Sequence, residues 1–63
     1  MSATDPQSRA TELVAGGTPT PREMLAIIEV GAFGNAEGND WPYQVANYLT
    51  KNQARAILAR SKA

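Results

Sequence analysis

The chain of 63 residues contains neither cysteine nor histidine. Without cysteine, no disulfide and no thiolate metal site can hold the fold, and the redox compartment stays open. The absence of histidine removes the usual general base near neutral pH, and the absence of cysteine removes the most accessible nucleophile. The serines lie near the termini, at Ser2, Ser8 and Ser61, without a base partner at a recognisable spacing. We therefore expect a protein that is not an enzyme and uses no cofactor.

Long apolar runs are missing as well. No stretch approaches the ~20 consecutive apolar residues that span a bilayer. The first residues lack the apolar core of a signal peptide, and the acidic Asp5 and Glu12 lie among them. We therefore expect a soluble protein that stays in the cytoplasm and does not enter a membrane.

The chain has no net charge, because six basic side chains balance six acidic ones. This balance argues against a strongly basic nucleic-acid binder. The charges are unevenly distributed, however, since residues 1–50 carry two basic and six acidic side chains. Residues 51–63 carry no acid and all four remaining cations, which are Lys51, Arg55, Arg60 and Lys62. A C-terminal segment with charges of one sign is the first indication of a binding site.

The N-terminal segment predicts a short helix or, alternatively, a disordered arm. Asp5 followed by Pro6 is typical of an N-cap and a first helical position. Apolar residues then follow at i, i+3 and i+4, namely Ala10, Leu13 and Val14. Two glycines, Gly16 and Gly17, end the segment. We expect residues 1–19 to form this arm or helix and residues 20–63 to form a single small helical domain.

A second helix is predicted over residues 21–30. Thr20-Pro21-Arg22-Glu23 has the form of a capping box with proline at the first helical position. One helical face then collects Met24, Leu25, Ile27, Ile28 and Gly31. The β-branched residues near its end also allow a strand, but no clear second strand is present to pair with it.

Residues 31–40 are predicted to form a loop, because they include three glycines and two asparagines. We expect Phe33 to pack from this loop into the core. The segment 35–40 is rich in oxygen ligands but lacks the ligand order of an EF-hand, so we interpret it as a turn and not as a metal site.

The C-terminal part predicts two helices, over residues 41–49 and 51–61, that pack at a large angle. Asp40 can cap the first of them, and its apolar stripe consists of Trp41, Val45, Tyr48 and Leu49. Ile57 and Leu58 are out of phase with this stripe, and Thr50 begins a second capping box at the break. We expect Trp41 to be buried against Leu25 or Ile28. Tyr43 lies off the stripe and is a candidate for an exposed aromatic contact.

The last helix is the strongest candidate for a binding surface. On a helical wheel, Lys51, Arg55 and Lys62 cluster within about 40° of one another. Small or polar residues separate this basic stripe from Arg60, namely Asn52, Ala56 and Ala59. Such a face allows close approach while the cations at its rim meet phosphates or carboxylates. The alternative is a solvated helix end whose cations interact favourably with the helix dipole.

The stretch from Tyr43 to Arg60 resembles the two-helix unit of helix-turn-helix DNA-binding domains. In this resemblance Ala46 is the small residue where the helices cross, Leu49 precedes the turn, and Ile57 or Leu58 anchors the second helix. The second helix of that family enters the major groove with its N-terminal residues at the base edges. The resemblance implies that DNA is contacted by Lys51, Asn52, Gln53 and Arg55.

The sequence thus predicts an all-α domain of three to four helices whose C-terminal pair is similar to a helix-turn-helix. Two functions compete. The first is a DNA-binding regulator, acting through the basic helix as a monomer or homodimer. The second is a small protein-binding adaptor or inhibitor, of the size of many phage and plasmid products, that docks its basic helix on an acidic protein surface. The candidate site residues for both are Tyr43, Lys51, Asn52, Gln53, Arg55, Arg60 and Lys62.

Overall fold

The computed structural model describes residues 5–61, which form four α-helices and no strand. The helices are α1 (Pro6–Val14), α2 (Pro21–Phe33), α3 (Trp41–Ala46) and α4 (Lys51–Ser61). The prediction of a small all-α domain is confirmed, and the strand alternative for the second segment is wrong. The largest fully buried side chains come from all four helices and are Leu13, Ile27, Val30, Val45 and Ile57.

Of the two alternatives for the N-terminal segment, the structure has the helix. Asp5 caps α1, because its Oδ1 accepts a hydrogen bond from the Ser8 backbone N–H at 2.7 Å. This bond holds the pKa of Asp5 below its ordinary value, since it favours the ionised carboxylate. After the helix, Gly16 adopts a φ of 121°, a backbone conformation that residues with a side chain rarely adopt. The helix α1 packs against α3 and α4, and Ala10 belongs to the same core as the other helices.

The capping box at the start of α2 is present as predicted. The Thr20 Oγ1 accepts from the Glu23 backbone N–H at 3.2 Å, and the Glu23 Oε1 accepts from the Thr20 backbone N–H at 2.8 Å. These two bonds satisfy N–H groups that the first turn of a helix leaves without partners.

The helix α2 continues a turn beyond the predicted boundary and ends at Gly34, whose φ is 88°. The predicted loop 31–40 is therefore wrong in its first three residues. Gly31 lies inside the helix at a close approach to α4, where an added Cβ would stand 3.2 Å from the Leu58 Cδ1. This glycine serves helix packing and not a turn. The prediction that Phe33 packs into the core is also wrong, because this last helical residue is 77% exposed.

An ion pair that the sequence analysis did not predict joins α1 to α2. The Arg9 Nε donates to the Glu23 Oε2 at 2.9 Å, and the Arg9 Nη2 donates to the Glu23 Oε1 at 2.8 Å. Glu23 is buried, and the hydrogen bonds from Arg9 hold its pKa below its ordinary value despite that burial. Arg9 also donates to the Thr18 carbonyl at 2.9 Å, so it holds the connector between the two helices.

The loop between α2 and α3 is held by a side-chain amide. The Asn47 Oδ1 accepts from the Ala36 backbone N–H at 2.8 Å, and the Asn47 Nδ2 donates to the Ala36 carbonyl at 2.9 Å. The Tyr43 ring packs over Gly38, where an added Cβ would lie 2.6 Å from the ring Cγ. Tyr43 is thus partly buried against the core, and its prediction as an exposed aromatic is wrong. The reason is the loop, which covers the side of α3 that the apolar stripe leaves open.

Two aromatic residues predicted to lie in the core are exposed instead. Trp41 is 42% exposed and Tyr48 is 56% exposed. The buried face of α3 consists of Val45 and Ala46, and Trp41 lies roughly 90° from the middle of that face. The predicted helix over residues 41–49 is too long, because α3 ends at Ala46. Tyr48 therefore lies in a turn, where the helical spacing of the stripe no longer applies. Of the other stripe residues, Leu49 is buried.

The helix break near Thr50 is confirmed. The Thr50 Oγ1 accepts from the Gln53 backbone N–H at 3.0 Å, and the Gln53 Oε1 accepts from the Thr50 backbone N–H at 2.9 Å. Asp40 occupies the N-cap position of α3, but its side chain makes no capping bond there. Its carboxylate instead lies 3.8 Å from the Arg22 Nη2.

The helices α2 and α4 form the most extensive contact of the fold and run in opposite directions. Gly31, near the end of α2, lies against Ala54 and Leu58. Met24, near the start of α2, lines a cavity together with Ser61 at the end of α4. This pair of helices carries both candidate functional surfaces.

Candidate functional site

The first turn of α4 exposes part of the predicted basic site. Lys51 and Asn52 are exposed, and Arg55 follows Lys51 by one turn on the same side of the helix. Gln53 is half-buried, and its side chain is engaged in the capping box with Thr50. The structure therefore brings Lys51, Asn52 and Arg55 together. Tyr43 belongs to α3 beneath the loop, and Lys62 lies outside the described residues.

Arg55 has a structural partner within the fold. Its Nε donates to the Gly31 carbonyl at 2.9 Å. That carbonyl is one of the last four of α2, which have no partner within their own helix. Arg55 thus supports the end of α2 while remaining an exposed residue, and a guanidinium has further donors to offer a ligand.

Arg60 performs the same role for α1. Its Nη2 donates to the Leu13 carbonyl, near the end of α1, and to the Gly17 carbonyl at 2.7 Å. Arg60 lies roughly 140° around α4 from Arg55, so the two arginines face different neighbours. Sequence reasoning missed both roles, because both cations were assigned to a ligand. The available signal was the absence of a basic residue in the last turn of α1 and of α2.

The exposed apolar residues of α2 form a second surface that the sequence analysis assigned to the core. Leu25 is 61% exposed and Ile28 is 48% exposed, and Ala32 is exposed one turn further along the same face. The prediction that Leu25 or Ile28 buries Trp41 is wrong. A signal was present in the sequence, since residues 24–28 are all apolar and five consecutive residues pass around the entire helix. One neighbouring layer cannot cover every side of such a helix.

A groove between α2 and α4 lies beside this exposed face. One part of it, about 370 Å³, is lined by Met24, Ile28, Leu58 and Ser61. An adjoining part, about 410 Å³, is lined by Thr18, Pro19, Met24, Arg60 and Ser61. The two parts share Met24 and Ser61, and together they are here called the α2–α4 groove. Among the described residues that line it, Arg60 is the only charged one.

A smaller and more polar depression of about 250 Å³ lies beside α1. Val14 and Tyr48 contribute apolar surface to it, and Gln7, Thr11 and Gln53 contribute polar groups. Its mixed lining makes it a weaker docking site than the α2–α4 groove, since fewer apolar atoms would leave water when it is filled.

Among residues 5–61, no three acidic, histidine or cysteine side chains lie close enough together to hold a metal ion. Within the same range, none of the helices has the length and apolar character needed to cross a membrane.

Comparison of the chain with protein-family models, with curated proteins and with solved structures finds no match. The two surfaces of α2 and α4 are therefore the features from which a function can be inferred.

Proposed function

We propose that this chain is a small non-enzymatic protein-binding module that docks the outer face of α2 and the adjoining side of α4 on a partner. The observation that carries this proposal is the exposure of Leu25 and Ile28 beside the α2–α4 groove. Covering such side chains removes apolar surface from water, at roughly 25 cal/mol per Å². Contiguous exposed apolar surface with polar residues around it is typical of interaction sites.

The cations of α4 give this surface its electrostatic character. Lys51 and Arg55 lie on the side of α4 that also carries Leu58, within about 60° of one another. Their positive charge at the edge of an apolar surface favours an acidic partner and disfavours a basic one.

The proposal is tested by affinity capture from cells that express the native gene, with three forms of the full chain. The wild-type protein is compared with Ile28→Asp and with Phe33→Asp, a matched change at another exposed apolar residue of α2. We expect a partner that the wild-type protein and Phe33→Asp retain equally and that Ile28→Asp loses. A set of captured proteins that is the same for all three forms would contradict the proposal.

DNA binding is the second candidate, favoured by the exposure of Lys51 and Asn52 in the first turn of α4. A helix N-terminus attracts phosphate, and these residues are among those that the helix-turn-helix resemblance assigns to DNA. The two arginines that support α1 and α2, together with the zero net charge, argue that binding would be weak.

A titration of labelled random duplex at ~50 and ~200 mM salt tests this candidate, because phosphate contacts release counterions. If α4 binds DNA, affinity falls steeply with salt, and Lys51→Ala reduces the salt slope by about one unit. Asn52→Ala is the control, because it removes no charge from the same turn and should leave the slope unchanged. The absence of binding at ~50 mM salt would remove DNA binding and leave the protein-binding module.

A further inference from the structure

The α2–α4 groove has a shape and a lining that specify its ligand further. It extends from the connector, at Thr18 and Pro19, past Met24 to Ile28 and Leu58. The part lined by Met24, Ile28 and Leu58 is apolar and lies between two packed helices. An apolar depression between two helices accommodates the side chains along one face of a peptide.

The charged residues that α4 places beside the groove are all cations. Arg60 lines the end near the connector. At the other end, Arg55 contacts Gly31, and Lys51 lies one turn before it on α4. Glu29 projects about 100° around α2 from Ile28 and about 40° from Leu25, so it borders the exposed face of α2 on the side remote from α4. The edge of the groove that α4 forms is therefore cationic.

We infer that the ligand of the α2–α4 groove is an amphipathic α-helix of a partner protein with acidic residues beside its apolar face. This inference rests on the proposed protein-binding function and names the partner's chemistry. Apolar side chains at i, i+3 or i+4, and i+7 enter the groove, while carboxylates meet Lys51 and Arg55 at one end and Arg60 at the other.

Two observations favour this ligand over other occupants. An extended peptide usually pairs with the edge of a sheet, and residues 5–61 contain no strand to provide one. A second copy of the chain docked through the same face brings the same cations, Lys51 and Arg55, to the interface. Charge complementarity therefore favours an acidic helix.

The probe for this inference is a synthetic peptide of four to five turns with leucines along one face and glutamates on both flanks. A matched peptide carries lysine at every glutamate position. Each is titrated into the ¹⁵N-labelled full chain, and amide chemical shifts are recorded. We expect the glutamate peptide to shift amides around Met24, Ile28 and Leu58 and to bind at least about tenfold more tightly than the lysine peptide at ~50 mM salt.

Three variants locate the interaction. Ile28→Asp places a carboxylate in the groove and should abolish binding of the glutamate peptide. Lys51→Glu should weaken binding of the glutamate peptide several-fold and strengthen binding of the lysine peptide. Lys51 is exposed and lies outside the core, so this variant tests the charge alone. Phe33→Asp is the control, because Phe33 is exposed on α2 about 140° away from Ile28 and should leave both affinities unchanged.

Several results would overturn the inference: equal affinity for the two peptides, shifts confined to the depression beside α1, or binding unaffected by both Ile28→Asp and Lys51→Glu. Self-association through the groove, or shifts there with random duplex DNA instead of the glutamate peptide, would also overturn it. If neither peptide binds while Ile28→Asp still loses a captured partner, the protein-binding function stands and only the acidic helix is wrong. If that variant loses no partner, the proposed function itself fails.

Discussion

Single side chains hold the helix ends and the long loop of this protein. Arg60 supports the end of α1, Arg55 supports the end of α2, and Asn47 holds the loop at Ala36. Their partners lie 47, 24 and 11 residues away in the chain. A sequence pattern reports mainly on neighbours within one or two helical turns. Both arginines were therefore predicted to bind another molecule. The same limit applies to Tyr43, whose burial depends on a loop that folds back over it.

The contact between Gly38 and the Tyr43 ring gives a prediction for one residue. Gly38→Ala places a methyl group 2.6 Å from the ring Cγ, so the ring or the loop must move. We expect a loss of about 1–3 kcal/mol in the free energy of unfolding, typical of overpacking. Urea denaturation measures it. Asn39→Ala is the control at the next position, where an exposed side chain is removed, and it should change stability by less than about 0.5 kcal/mol. Equal stability of the two variants would contradict the close packing.

At the scale of elements, the starts of α2 and α4 depend on the same local device. Thr20 with Glu23, and Thr50 with Gln53, exchange two hydrogen bonds across three residues. Such bonds need no distant partner, so these boundaries follow directly from the sequence. The end of α2 does not, because Gly31 was interpreted as the start of a loop but lies inside the helix, where α4 packs closely against it.

The cap of α4 predicts a measurable change in stability. Thr50→Ala removes the Oγ1 that accepts from the Gln53 N–H and should destabilise the domain by about 1 kcal/mol. Thermal unfolding followed by circular dichroism at 222 nm measures the change. Asn52→Ala lies two residues further, on the exposed face, and should leave the transition unchanged. An unaltered transition for Thr50→Ala would show that tertiary packing alone sets the start of α4.

The buried Arg9–Glu23 pair predicts a pH dependence for the α1–α2 contact. The pKa of Glu23 is lower in the folded chain than in the unfolded one, so the pair stabilises the fold above the ordinary carboxyl pKa. This contribution is lost as the pH falls through the folded pKa, because the unfolded state then binds the proton more readily. Glu23→Gln should cost about 1.5–3 kcal/mol at pH 7.

The difference in the free energy of unfolding between wild type and Glu23→Gln should shrink as the pH falls below the ordinary carboxyl pKa. Denaturation at several pH values measures this difference. Glu12→Gln is the control, since Glu12 also pairs with Arg9 but is more exposed than Glu23. A constant difference across the pH range would show that the Glu23 charge does not stabilise the fold.

At the scale of the whole molecule, one core joins all four helices. Leu13 of α1 is fully buried together with Ile27, Val45 and Ile57 of the other helices. Residues 20–63 were expected to form a domain by themselves, with residues 1–19 as an arm or helix. Through Ala10 and Leu13, α1 contributes to the core of that domain.

Removal of α1 therefore tests the organisation of the whole chain. A chain that begins at Thr18 loses Leu13 and Ala10 from the core. Buried side chains of the other helices in the same core, such as Val45 and Ile57, then become more exposed to water. We expect it to lose cooperative unfolding and amide shift dispersion, and we expect Leu13→Ala in the full chain to cost about 2–5 kcal/mol. Val14→Ala, at a neighbouring exposed position, is the control and should cost much less. A cooperative fold for the shortened chain would support an independent domain over residues 20–63.

Local chemistry and tertiary packing decided different features of this protein. Both capping boxes, the break at Thr50 and the all-α class follow from sequence alone, because each depends on residues within one turn or on helical periodicity. The buried side of α2 does not follow, since residues 24–28 are apolar all around the helix and either side could face inward. Packing of α3 and α4 on one side of α2 buries Ile27 and leaves Ile28 exposed. The candidate docking surface therefore exists only in the tertiary structure.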